Sequence, residues 1–290
     1  MSVLRYLMSL VLPASILFAG PANAHILSIN RLSSGAYTLQ LTNFKWQGKD
    51  GTRLDVWQHK KKVFINYYDR IWPISMNKQT VSYEMMPSEK VKLWDLTGDG
   101  IKDVVLQTWN GGAYCCYTYS IYSLGRQFKR IWFHDAGAGH LHIRFCNTKP
   151  AILEMEDTTF IFSFPFAVST GPRPLVCYKW NGGSFTVDKA LMRKPVNTTK
   201  FETAIKPTAD LETFERTFIE LIYSGHTDYA LKLVKLGAYG SPQFLKSFFE
   251  TFKRSPNYYR IIELNNKQTL TQLRRMSKEL RQTKAISYQI

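Results

Sequence analysis

The strongest constraint on this chain is a change of period part-way along it. From about residue 35 to 190, short runs rich in aromatic and β-branched residues recur: Tyr37-Thr38-Leu39-Gln40-Leu41, Val63-Phe64-Ile65-Asn66-Tyr67-Tyr68 and Tyr117-Thr118-Tyr119-Ser120-Ile121-Tyr122. Turn signals bound them at Gly48-Lys49-Asp50-Gly51, Asn110-Gly111-Gly112, Gly171-Pro172 and Asn181-Gly182-Gly183, the punctuation expected of strands. No helical period holds for ten residues in this half. From about 208 the spacing switches. Leu211, Phe214, Phe218 and Leu221 fall on one helical face. A second segment, Thr227 to Leu236, stops at Gly237, and a third opens with Ser241 as N-cap and Pro242 behind it, ending before Ser255-Pro256. Tyr258 to Leu264 and Leu270 to Leu280 continue the pattern. Strands followed by helices, rather than alternating with them, predict an α+β protein with a mostly antiparallel β region followed by a small C-terminal helical bundle. The boundary is expected near 190–207, where Arg193-Lys194-Pro195 and Lys206-Pro207 interrupt periodicity, giving a β-rich part over 25–194 and a helical part over 195–290.

Residues 1–24 read as a removable address. Arg5 supplies a positive start, Leu7 to Gly20 an apolar stretch too short to span a bilayer, and Ala22-Asn23-Ala24 a small-x-small cleavage site. A signal peptide predicts export, periplasmic or secreted, and no integral membrane segment in the mature form. The balance of 38 Lys+Arg against 22 Asp+Glu, a net charge of +16, speaks to partners rather than fold.

One motif carries specific chemistry. Residues 95–103 read Asp95-Leu96-Thr97-Gly98-Asp99-Gly100-Ile101-Lys102-Asp103. Side-chain oxygens at positions 1, 3, 5 and 9, with glycine at 6, suit a loop wrapped around a hard cation, the Ile101 carbonyl and water completing the shell. An EF-hand needs Glu at position 12, where this chain has Leu106. Val104-Val105-Leu106 favour a strand after the loop. One structural Ca²⁺, held weakly because Thr97 replaces a carboxylate or amide at position 3, is the expectation.

The run from Asp95 to Leu106, with Trp109 and Gly111-Gly112 beyond it, resembles the calcium-binding repeats of integrin-type β-propellers (FG-GAP and VCBS repeats). Extended through Ala113-Tyr114-Cys115-Cys116-Tyr117, it is also similar to a group of secreted bacterial proteins carrying one or two such units. The resemblance covers about 85–190. It implies a partial propeller-like or sandwich arrangement, with Asp95, Thr97, Asp99 and Asp103 as ligands, and scaffolding rather than catalysis. It also implies a second loop where this chain has Phe145-Cys146-Asn147-Thr148-Lys149-Pro150, which lacks the acidic pattern, so one ion is expected and not two. Trp109-Asn110-Gly111-Gly112 returns as Trp180-Asn181-Gly182-Gly183, which reads as two related sheet units.

Four cysteines, Cys115, Cys116, Cys146 and Cys177, suit disulfides in an oxidising compartment. Two arrangements stand: Cys146–Cys177 with a vicinal Cys115–Cys116, or one cross-strand bond and two buried thiols. His134, Asp135, His140 and His142 lie close enough in sequence for a transition-metal site. No G-x-S-x-G or H-E-x-x-H occurs, and Ser75 to Lys78 matches S-x-x-K without its companion motifs. The C-terminal segment, with Arg274, Arg275, Lys278, Arg281 and Lys284 opposite Leu270, Leu273, Met276 and Leu280, reads as a docked helix with a basic face. These features predict an exported, non-catalytic binding or interaction protein, its partner another protein or an anionic envelope polymer. The alternative is a metal-dependent hydrolase of envelope or extracellular substrate around the histidines. Nucleic acid ranks below both, because export removes the usual target.

Overall fold

The computed structural model describes residues 25–46, 49–68, 71–73, 76–77, 80–81, 93–109, 116–145, 150–162 and 170–278. The segment 1–24, read above as a signal peptide, lies outside them.

The first sheet is an antiparallel meander of β1 (His25–Ser34), β2 (Tyr37–Trp46), β3 (Lys49–Gln58) and β4 (Lys61–Tyr68). Its β3–β4 hairpin turns on His59 and Lys60, both at positive φ (48° and 66°), the geometry that matches strand twist in a two-residue turn. The Lys60-Lys61-Lys62 run therefore sits on a hairpin tip. Of the Gly48–Gly51 turn signal, residues 49–51 are strand, because β3 already begins at Lys49, and Gly48 lies outside the described residues. Gly51 lies in the strand opposite Phe44, and a Cβ there would come within 2.7 Å of the Phe44 ring. The glycine makes room for an aromatic cover.

Three short strands follow: β5 (Ile71–Pro73), β6 (Met76–Asn77) and β7 (Thr80–Val81), the last two paired with each other. The second sheet joins β5 to β8 (Asp103–Trp109), β9 (Tyr117–Leu124) and β10 (Phe128–Gly137) in the order β10-β9-β8-β5. A third is the meander β11 (Leu141–Arg144), β12 (Ile152–Glu156), β13 (Leu175–Trp180) and β14 (Phe185–Val187). The helices then run in order: α1 (Lys189–Met192), α2 (Thr198–Ala204), α3 (Leu211–Tyr223), α4 (Thr227–Leu236), α5 (Pro242–Phe252), α6 (Tyr258–Leu264) and α7 (Lys267–Met276). Strands fill the N-terminal half and helices the C-terminal half, an α+β protein.

Local chemistry sets the helix ends. Asp210 Oδ1 accepts from Thr213 N at 2.6 Å and Ser241 Oγ from Phe244 N at 3.2 Å, with Pro242 next; each satisfies a donor that the helix leaves orphaned. Gly237 does close α4, but at φ −80° rather than in the left-handed region. Glycine is required there because a Cβ would meet the Phe214 ring at 2.7 Å. A left-handed glycine instead follows α3: Gly225, at φ 78°.

Two cores share the second sheet. Val104 and Leu106 of β8, with Tyr122 and Leu124 of β9, pack on Tyr37, Leu39, Leu41, Leu54 and Val56 of the first sheet. Val105, Tyr119 and Ile121 face the other way, into a larger core continuous through the third sheet to the helices. That core crosses residue 195 without a break. Phe160, just after β12, stacks on Phe248 and Phe252 of α5 with centroids 5.5 and 6.4 Å apart.

Asp157, 4% exposed, pins the same junction. Its Oδ2 accepts from Tyr223 of α3 at 2.8 Å, from Ser255 at 2.6 Å and from Asn257 at 3.3 Å. Its Oδ1 accepts from Thr159 N and Oγ1 at 3.0 and 2.5 Å. Asn257 in turn accepts from the Tyr178 hydroxyl of β13 at 2.8 Å. A buried carboxylate surrounded by donors is costly to remove because each donor loses its acceptor.

On α7, Leu270 and Leu273 are buried as the stripe requires. Arg274 is not free on a basic face: it donates to the Tyr258 hydroxyl at 2.6 Å and lies over the Phe249 ring. Leu280, Arg281 and Lys284 lie outside the described residues.

Asp157→Ala should lower the unfolding free energy by ~3–5 kcal/mol in urea titrations, with sheet and helix signals lost in one transition; two separated transitions would contradict the shared core. Burial pushes the Glu215 carboxyl of α3 up to about 7. A carboxyl raised above its unfolded value stabilises fully below that value and loses the contribution as pH rises through the folded one. Stability should therefore fall between about pH 4.5 and 7 by a component that Glu215→Gln removes, measured as thermal midpoint against pH.

Candidate functional site

The acidic loop enters β8 as the spacing predicts. Trp94 and Asp103 form a bridge, Asp103 N donating to Trp94 O at 2.6 Å and Trp94 N to Asp103 O at 3.3 Å, so the loop from 95 to 102 closes on its own stem. Gly98 and Gly100 stand at φ 80° and 86°, which a Cβ would strain. Gly98 N and Gly100 N donate to the two oxygens of Asp95 at 2.6 and 2.9 Å, and Ile101 N to Asp99 Oδ1 at 2.8 Å. The loop is wound around its first carboxylate.

Asp103 differs from the other two. It is 1% exposed; Oδ2 accepts from Leu96 N at 2.8 Å and Thr97 N at 3.4 Å, while Oδ1 is buried with no hydrogen-bond partner. Burial pushes its carboxyl up to about 6, the backbone donors working against this and the charges of Asp99 and Asp95 adding to it. The Thr97 hydroxyl, 6% exposed, is buried without a partner too. Buried oxygens normally find a donor or a cation. Ala151 N donates to Leu96 O at 2.9 Å, tying the loop to the third sheet, and Phe145 stacks on Trp94 at 4.6 Å.

Among the described residues, no three His, Cys, Asp or Glu groups stand together as a preformed metal cluster. The loop carboxylates are thus oriented by backbone donors, not gathered on one point. Of the second-loop stretch, 146–149 lies outside the described residues.

The histidine set does not converge. His134 is half-buried against two core aromatics, stacked on Trp132 at 5.4 Å and edge-on to Tyr178 at 5.8 Å, and burial lowers its pKa. Asp135 is exposed and accepts from Gly137 N at 3.2 Å. His140 and His142 gather instead at Glu156: His140 N donates to Oε2 at 3.1 Å, and His142 Nε2 lies 3.3 Å from Oε1. The hydrogen bond to Glu156 raises the His142 pKa, whereas burial lowers that of His140. Spacing alone suggested one site; the bulged β10 and the turn before β11 separate its members.

The cysteines also correct the first expected pairing. Cys177 is a free thiol, 0% exposed, in the middle of β13, so a Cys146–Cys177 bond is not formed. Burial pushes its thiol up. Cys116 is disulfide-bonded; Cys115 and Cys146 lie outside the described residues.

Sequence reasoning missed Asp157, Glu156 and Arg173. Asp157 is followed by Thr159 as in any Asx turn, and nothing in the spacing marks it as a hub. The chain matches no family model, no curated protein and no solved structure. Among the described residues no helix is long and apolar enough to cross a membrane.

In native protein, Cys177 should resist maleimide labelling and become reactive only on denaturation without reductant; mass spectrometry locating Cys177 in a disulfide would contradict the free thiol.

Proposed function

We propose that the protein is an exported, non-catalytic binding protein, periplasmic or secreted, whose Asp95–Asp103 loop holds one structural calcium ion. The observation that carries the reading is the pair of buried oxygens without partners, Asp103 Oδ1 and Thr97 Oγ1, inside a loop whose glycines already take the required conformations. A hard cation supplies what those oxygens lack and offsets the repulsion among Asp95, Asp99 and Asp103. Asp99, which accepts one backbone bond from Ile101 N, keeps lone pairs beyond it. The Ile101 carbonyl and water fill the remaining positions.

Three antiparallel sheets of four strands support the kinship to FG-GAP and VCBS repeats, since such sheets are the unit of propeller blades. The partner is another protein or an anionic envelope polymer, which the net charge of +16 favours. A hydrolase built on His134, Asp135, His140 and His142 has less support, because each of these is engaged elsewhere.

Calcium at ten- to a hundredfold over Kd should stabilise the purified protein by about 1.4–2.7 kcal/mol, seen as a thermal midpoint raised by several degrees and unchanged by calcium in Asp99→Ala. Stoichiometric zinc on metal analysis, with no response to calcium, would favour the hydrolase and overturn this reading.

A further inference from the structure

A cleft of about 480 Å³ opens where the chain passes from strands to helices. Its floor is apolar: Leu175 at the start of β13, Met192 of α1, and Leu221 and Tyr223 of α3. Met192, Leu221 and Tyr223 are all 5% exposed or less, so the floor is part of the main core and not a mobile surface. Val196, in the connection between α1 and α2, forms one wall.

The rim is cationic. Arg173, Lys194 and Lys200 line it, with Glu220 the one carboxylate among the lining residues. Glu220 is already held by Lys200, whose Nζ lies 2.9 and 3.0 Å from its two oxygens. Arg173 is ion-paired with Glu156 Oε2 at 3.4 Å and donates to Ala138 O at the same distance. Lys194 faces the same opening with no ion pair among the described residues. An apolar floor under surplus positive charge, in a volume typical of small-molecule sites, selects a ligand that is both greasy and negative.

We propose that this cleft binds a small amphiphilic anion, a carboxylate carried on an apolar body, with Lys194 taking the head and Leu175, Met192 and Leu221 the body. The site shares no residue with the Asp95–Asp103 loop, so each stands or falls alone.

Titration calorimetry of the full chain with sodium octanoate tests it, octan-1-ol serving as the uncharged control. Octanoate should bind saturably at one site, and octan-1-ol about tenfold more weakly or worse, the loss of one charge-assisted contact. Lys194→Gln should weaken octanoate by a similar factor. Val196→Trp, which fills the cleft from its half-buried wall, should abolish binding. Both variants should keep the wild-type circular dichroism and thermal midpoint, which separates a lost site from a lost fold. Non-saturable uptake, equal affinity for acid and alcohol, or octanoate binding unchanged in both variants would overturn the proposal.

Discussion

The register of β8 is the constraint on which the two cores depend. Val104 and Leu106 face the first sheet, and Val105 between them faces the third sheet and the helices. A strand buried on both faces has no neutral slip: moving it by one residue exchanges every side chain between cores of different shape. What fixes the register is Asp103 at its first position. Its backbone bridges Trp94 and its side chain accepts from Leu96 and Thr97, so loop and strand are set as one unit. In the proposed role, calcium strengthens that unit from inside the loop by satisfying the oxygen that the backbone leaves unpaired.

A second buried carboxylate does a comparable job where strands meet helices. Asp157 directly follows β12 and gathers donors from α3 and from the turn between α5 and α6, while Phe160 a few residues on stacks on α5. Polar and aromatic contacts act together there. The polar hub fixes geometry, because five donors must meet two oxygens, and the aromatic stack supplies buried area. The helical half therefore packs as a wall on the third sheet, and the cationic cleft is the gap where that wall and the α1–α2 connection meet the start of β13.

Much of this architecture was legible in the chain. The switch from strand runs to a helical period located the helices well: α4 and α6 begin and end where the pattern put them, and Ser241-Pro242 marked the start of α5. The acidic loop and the strand after it also followed from local spacing. Long-range pairings could not be read. Asp157 looks like an ordinary turn residue until Tyr223, Ser255 and Asn257 are brought to it from 66 to 100 residues away. His134 and His142 are eight positions apart, yet strand alternation and the turn between them place one among aromatic rings and the other on Glu156. Cys177 falls in a central strand whose neighbours, β12 and β14, bring no second thiol among the described residues. Sequence conveys local conformation and periodicity; partners chosen by sheet order are settled only by the fold.

Amide hydrogen exchange over residues 96–109, in millimolar calcium and then in chelator, tests the central claim most directly. If a cation held by Asp95, Thr97, Asp99 and Asp103 sets the register of β8, calcium should slow exchange at Leu96, Gly98 and Gly100 and carry that protection into Val104, Val105 and Leu106. Exchange that is identical with and without calcium across the loop and the strand would contradict it.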